Sequence, residues 1–133
     1  MTRRRDIHRV TCKCVLFSPD GTKVLVVDYG GDIAYGLPGG HIDEGESPDM
    51  AMARELFEEL GVEGLTLEHT DFDIHHNGKI ILGYRGVLDP DTKLVPQAEE
   101  MRDALWVNVD DIINDNVAVP SYKRFIVDYL PNR

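Results

Sequence analysis

Cysteine is scarce in this sequence, with Cys12 and Cys14 the only two. A disulfide framework needs more of them, and a zinc site needs further ligands at suitable spacing. Two residues apart and in phase with Val10 and Leu16, they read as core thiols on one strand face. Long apolar runs are missing as well: stretches such as Val24 to Val27 are far too short to span a bilayer. Positive charge is in deficit, since 14 Lys and Arg face 24 Asp and Glu, for a formal net charge of −10. Such a surface repels phosphate backbones, which argues against nucleic acid as a partner, although acidic groups that hold divalent cations reverse the sign locally. The basic Arg3-Arg4-Arg5 reads as a solvated terminus. Asp6, His8, Arg9 and Lys13 interrupt any signal-like apolar stretch after it, so a cytoplasmic protein is expected. There is no Gly-x-x-x-x-Gly-Lys loop and no Gly-x-Gly-x-x-Gly after a strand, which removes kinase and dehydrogenase readings.

What is there is ordinary globular composition: 133 residues, 42% hydrophobic and 29% charged. Without repeats or a linker-like shift, one domain over 1–133 is expected, with 1–6 as a flexible N-terminus. Val10 to Phe17 alternates like a strand, Ser18-Pro19-Asp20-Gly21 supplies turn chemistry, and Lys23 to Tyr29 returns as a second strand. Gly36-Leu37-Pro38-Gly39-Gly40 reads as a loop that can fold tightly or approach a ligand. Ser47 as N-cap, Pro48 in the first helical position and Gly61 as the stop define a helix. Leu65 to Ile74 and Lys79 to Leu88 follow as strands about the turn His76-Asn77-Gly78, and Ala104 to Val109 carries the only tryptophan, Trp106. A short helix over Asp110 to Asn114 and a last one from near Pro120, with Tyr122, Phe125, Ile126, Tyr129 and Leu130 on one face, complete the pattern. The class is α/β, with a mixed central sheet flanked by helices.

The chemistry is concentrated on the first helix. Its spacing places Met50, Ala53, Leu56, Phe57 and Leu60 on the core side, and Glu55, Glu58 and Glu59 together on the opposite one. Like charges at these spacings repel by about 0.2–0.5 kcal/mol per pair. Carboxylates in the last turn also oppose the macrodipole, by about 0.3–1 kcal/mol each. Two readings fit: a solvated acidic face, or a site for a hard divalent cation such as Mg²⁺, which prefers oxygen ligands.

The wider segment carries a longer pattern. After Gly40 come five residues, Glu46, seven residues, Arg54-Glu55-Leu56, one residue, Glu58-Glu59, one residue, and Gly61-Val62. At every specified position this resembles the Nudix box, the signature of the Nudix hydrolases, and a chance match of seven identities falls below about 10⁻⁶ per chain. The resemblance implies an α/β/α sandwich whose box forms a loop, a helix and a loop. It implies metal-dependent hydrolysis of a diphosphate linkage in a nucleotide or nucleotide derivative, with Mg²⁺ as cofactor and Mn²⁺ able to substitute.

By the same resemblance, Glu58 and Glu59 are the main metal carboxylates, Glu55 shares a metal or acts as general base, and the Gly40 carbonyl completes the shell. Arg54 stands with these acids in the catalytic set, pairing with Glu46 to brace the box. A further ligand is expected from the loop before Trp106, Glu100 in preference to Glu99. Tyr35 and Gly39 are the expected substrate contacts, Tyr35 either stacking on a base or packing its loop. His75 and His76 either reach phosphate or sugar or are simply exposed. The ADP-ribose-type proline, the Ser-Gln-Pro-Trp motif of the NADH type and the coenzyme A signature are absent. The implied partner is a small nucleotide, without a membrane, and relatives often form homodimers. A non-catalytic nucleotide sensor and an RNA-end pyrophosphohydrolase are the alternatives; retention of all three box acids favours the enzyme, and the net charge disfavours RNA.

Overall fold

The computed structural model describes residues 8–30, 35–76 (backbone alone for 72–76), 78–97, 103–114 and 122–131. Its elements are β1 (Arg9–Phe17), β2 (Lys23–Asp28), β3 (Gly39–His41), α1 (Pro48–Leu60), β4 (Glu68–His76), β5 (Lys79–Val87), β6 (Asp103–Asn108), α2 (Val109–Ile113) and α3 (Lys123–Asp128). The strands form one mixed sheet in the order β4-β5-β1-β2-β6, with β3 added to β1. β1 runs parallel to β5 from Arg9↔Lys79 to Phe17↔Val87, and the pairs β4–β5 and β2–β6 are antiparallel.

The alternation of β1 and β2 sends side chains to both faces, and both faces are buried. Cys12, Cys14, Leu16, Leu25 and Val27 pack with Ala51, Met52, Leu56 and Leu60 of α1. Val15, Phe17, Val24 and Val26 pack with Val109, Ile112, Phe125 and Ile126 of α2 and α3. Trp106 joins the first cluster and its neighbours Leu105 and Val107 the second. Helices thus cover the sheet on both sides, the expected α/β/α sandwich with a mixed sheet.

The site lies where the sheet opens. β1 and β2 pair at Phe17↔Val24. Beyond that point the chain from Gly36 to Pro38 runs between them, bonded to Val27 on one side and to the Cys14 N–H on the other (2.9 Å to the Pro38 carbonyl). Gly39–His41 then pairs with β1 through Thr11↔His41, Cys12↔Gly40 and Lys13↔Gly39. Three residues expected to lie in or beside a loop are therefore a strand. Gly39 is required there: at φ 143° its position leaves only 2.0 Å between an added Cβ and the Cys12 carbonyl oxygen.

The ends of α1 follow local chemistry. Ser47 Oγ accepts from the Met50 N–H at 3.2 Å, Pro48 opens the helix, and Gly61 closes it at φ 70°. Tyr84 of β5 donates its hydroxyl to Asp49 at 2.5 Å, pinning the first turn to the sheet. The buried face differs from the expected one. Met50 is 60% exposed, Phe57 is 39% exposed, and Ala53 faces solvent, while Glu55 and Glu59 are buried beside Ala51, Met52, Leu56 and Leu60. Apolar spacing alone sends carboxylates to water; here donors from outside the helix hold Glu59 inside, and Glu55 is held by Arg54 of the helix itself. Leu65 and Leu67, expected to open a strand, instead pack against the first core cluster ahead of β4, after Gly64 at φ 74°. Residues 115–121, where the last helix was expected to start, lie outside the described residues, and α3 carries its buried Phe125 and Ile126 as anticipated.

Candidate active site

Glu59 is the most enclosed of the three glutamates of α1, 4% exposed. Both of its oxygens are engaged: Gly39 N–H donates to Oε1 at 2.9 Å and the Tyr29 hydroxyl to Oε2 at 2.7 Å. Burial still dominates and, with the nearby charge of Glu55, pushes its carboxyl up to about 7 against the pull of these donors and of Lys13. Glu55, 9% exposed, lies against Gly40. A Cβ on Gly40 would stand 2.5–2.8 Å from its carboxylate atoms, so only glycine leaves this acid its place beside the loop backbone.

Arg54 organises the rest. Its Nε and Nη2 donate to the two oxygens of Glu46 at 2.7 and 2.9 Å, a fork-on-fork pair. Its Nη2 also reaches the His41 carbonyl at 3.0 Å, and Nη1 is shared between Glu55 at 3.0 Å and Glu58 at 3.2 Å. The Arg54 hydrogen bonds hold the Glu46 carboxyl down at about 2, and Glu46 in turn holds the guanidinium above its ordinary value. The brace expected between Arg54 and Glu46 is present, tying the loop at 41–46 to the helix.

The donor set suits a hard divalent cation. Two buried carboxylates, a half-exposed third and a glycine backbone kept clear of any side chain offer oxygen alone, and local negative charge exceeds what Arg54 offsets. Among the described residues, no group of three His, Cys, Asp or Glu side chains is already gathered as a cage. Glu55 and Glu58 turn instead to the shared Arg54 nitrogen, which they can leave by side-chain rotation.

Of the other expected residues, Gly39 is buried and serves Glu59 through its N–H, and Tyr35 is partly buried against the second core cluster. Glu99 and Glu100 lie outside the described residues, as do the side chains of His75 and His76. Two residues at the site were not anticipated. Lys13 and Tyr29 meet over the Leu37 and Gly39 carbonyls. The signal for Lys13 was available, as a lysine set between the two core cysteines of an interior strand.

The NUDIX domain family matches residues 7–129. An NAD-capped RNA hydrolase, NudC, of Pseudomonas aeruginosa is 31% identical over 103 residues, covering 74% of this chain and 36% of that protein. An 8-oxo-dGTP diphosphatase of Haemophilus influenzae is 44% identical over 55 residues, 39% of this chain and 40% of that one. The matched part of this chain therefore spans less than half the length of either relative. In fold it is similar to the MutT structure described for Aliivibrio salmonicida and Vibrio cholerae, with a TM-score of 0.75, 18% identity and coverage of 91% of this chain and 95% of the other. No helix among the described residues is long and apolar enough to cross a membrane. With the family match running across nearly the whole chain and the box folded as a braced loop and helix, the chain belongs to the Nudix family.

Proposed function

We propose that this chain hydrolyses a diphosphate linkage in a nucleotide or nucleotide derivative, using a divalent cation. The observation that carries the reading is the buried pair Glu55 and Glu59 at the side-chain-free Gly39-Gly40 backbone, an all-oxygen arrangement that a divalent cation would complete. Glu55, Glu58, Glu59 and the Gly40 carbonyl are the groups to hold Mg²⁺, with Mn²⁺ as substitute and Glu100 as a further candidate. When bound, the ion neutralises the diphosphate and makes water a competent nucleophile near neutral pH.

The chain's own residues divide the remaining work. Glu59, with both oxygens already accepting, is a fixed ligand that does not swing. Glu55 and Glu58 share one Arg54 nitrogen and are free to exchange it, which suits them to take the proton of the attacking water. Arg54 keeps its fork on Glu46 and so holds the loop while the acids move. Tyr35 and Gly39 remain the proposed substrate contacts, a small nucleotide the proposed partner, and a homodimer and a cytoplasmic location the proposed setting.

The test is phosphate release across nucleoside triphosphates, oxidised nucleotides, ADP-ribose, dinucleoside polyphosphates and nucleotide sugars, with Mg²⁺ or Mn²⁺ and Glu58→Gln as control. The name of the NudC relative adds NAD and NAD-capped RNA to that panel. Turnover that disappears with chelator and falls by about 10²–10⁴-fold in the variant is expected. Turnover indifferent to both refutes the reading. Ligand-induced stabilisation without turnover across the panel indicates the nucleotide sensor instead.

A further inference from the structure

Lys13 and Tyr29 belong to no part of the box, yet they converge on it. The Lys13 ammonium, on β1, lies 3.1 Å from the Leu37 carbonyl, 3.3 Å from the Gly39 carbonyl and 3.3 Å from the Tyr29 hydroxyl. It also stands 4.8 Å from the centre of the Tyr29 ring. An ammonium has three protons and no acceptor, so these three oxygens use it completely. Tyr29 has one proton to place. Leu37 and Gly39 carbonyls lie 3.1 and 3.4 Å from its oxygen, but Glu59 Oε2, a carboxylate oxygen, is nearest at 2.7 Å.

Only one assignment satisfies every group. Lys13 donates to both carbonyls and to the phenol oxygen, and the phenol donates to Glu59. Gly39 closes the ring, since its carbonyl accepts from Lys13 while its N–H donates to Glu59 Oε1. A cation on the phenol oxygen strengthens the proton that phenol offers. Three separated parts of the chain, β1, the end of β2 and the loop at 37–39, are thereby locked to a single carboxylate of α1.

We propose that Tyr29, anchored by Lys13, is a positioning residue that holds Glu59 in the orientation in which it ligates the cation. The inference rests on the carboxylate-site reading above. It concerns how tightly the ion is held, with Tyr29 acting through its hydrogen bond to Glu59.

Tyr29→Phe is the test, because it keeps the ring over Lys13 and deletes only the hydroxyl. Mn²⁺ affinity is measured by electron paramagnetic resonance on the full chain, with the metal-free melting temperature followed alongside. Loss of a hydrogen bond behind a metal ligand typically weakens binding 10–100-fold, and about tenfold is expected here. The Mg²⁺ concentration for half-maximal rate rises in proportion, and kcat returns at saturating Mg²⁺. In a Glu59→Gln background the same change has no carboxylate to act through, and its effect shrinks to about twofold or less.

Mn²⁺ affinity within about twofold of the parent in Tyr29→Phe overturns the proposal, as does an equal loss in both backgrounds. The two readings separate cleanly. If Glu59→Gln loses Mn²⁺ and Tyr29→Phe does not, the brace alone is wrong. If Glu59→Gln leaves Mn²⁺ binding intact, the carboxylate site and the brace fail together.

Discussion

Replacing Glu59 with glutamine is expected to flatten the pH dependence of stability in the metal-free protein. Burial holds the folded carboxyl near 7, against 4.5 for the exposed group. Between those values the folded chain keeps the proton that the unfolded chain releases, so stability falls as pH rises through this window. The penalty is absent below 4.5 and complete above about 7. The gap between the two values corresponds to about 3 kcal/mol, on the order of 10 °C in melting temperature for a domain of this size. Glutamine keeps the shape and an acceptor for Gly39 or Tyr29 and has no proton to lose. Thermal unfolding by circular dichroism in chelator, at intervals from pH 5 to pH 8, therefore shows the variant gaining on the parent as pH rises. Mg²⁺ at the upper end of the range restores the parent and leaves the variant unmoved. Parallel curves for the two proteins refute the argument, because they mean that Glu59 carries no burial penalty for a cation to relieve.

Gly39→Ala combines a left-handed φ with a Cβ set 2.0 Å from the Cys12 carbonyl oxygen, and a loss of more than about 3 kcal/mol is expected, read as a lowered melting temperature or insoluble protein; an unchanged melting temperature contradicts the pairing of Gly39 with β1. Arg54→Met removes the partner of Glu46 and of the His41 carbonyl, so cleavage at Glu44 and Glu46 by a glutamate-specific protease accelerates by about tenfold, and equal resistance refutes the brace.

Features written in neighbouring residues were legible in the sequence. Ser47, Pro48 and Gly61 mark both ends of α1, and the alternation of β1 foretold the shared burial of Cys12, Cys14 and Leu16. The pattern from Gly40 to Val62 pointed to the family before any geometry. What depended on distant partners was not legible. Helical periodicity assigns Glu55 and Glu59 to solvent and Met50 and Phe57 to the core, because it knows nothing of the Tyr29 and Gly39 donors to Glu59 or of the bare Gly40 backbone beside Glu55. Gly39–His41 has no strand-forming composition; it is a strand because β1 leaves an open edge where β2 turns away. Tyr29 drew no notice for the same reason, since its only distinction is the place where its hydroxyl arrives.

The last turn of α1 has consequences for how portable its motif is. It holds no basic residue, and two glutamates sit at the negative end of a helix of 13 residues, a length already marginal in isolation. Its final carbonyls are satisfied from far along the chain, Glu58 by the Gln97 N–H at 2.7 Å and Leu60 by the Val95 N–H at 2.8 Å. The segment from Gly40 to Val62 is thus a dependent part. Excised as a peptide it loses its closing hydrogen bonds together with the donors that tame Glu59, and it stays largely uncoiled. Transplanting the chemistry to another scaffold requires moving β1, the end of β2 and the stretch 95–97 as well. The signature names the family, but the smallest unit able to operate is close to the whole sandwich.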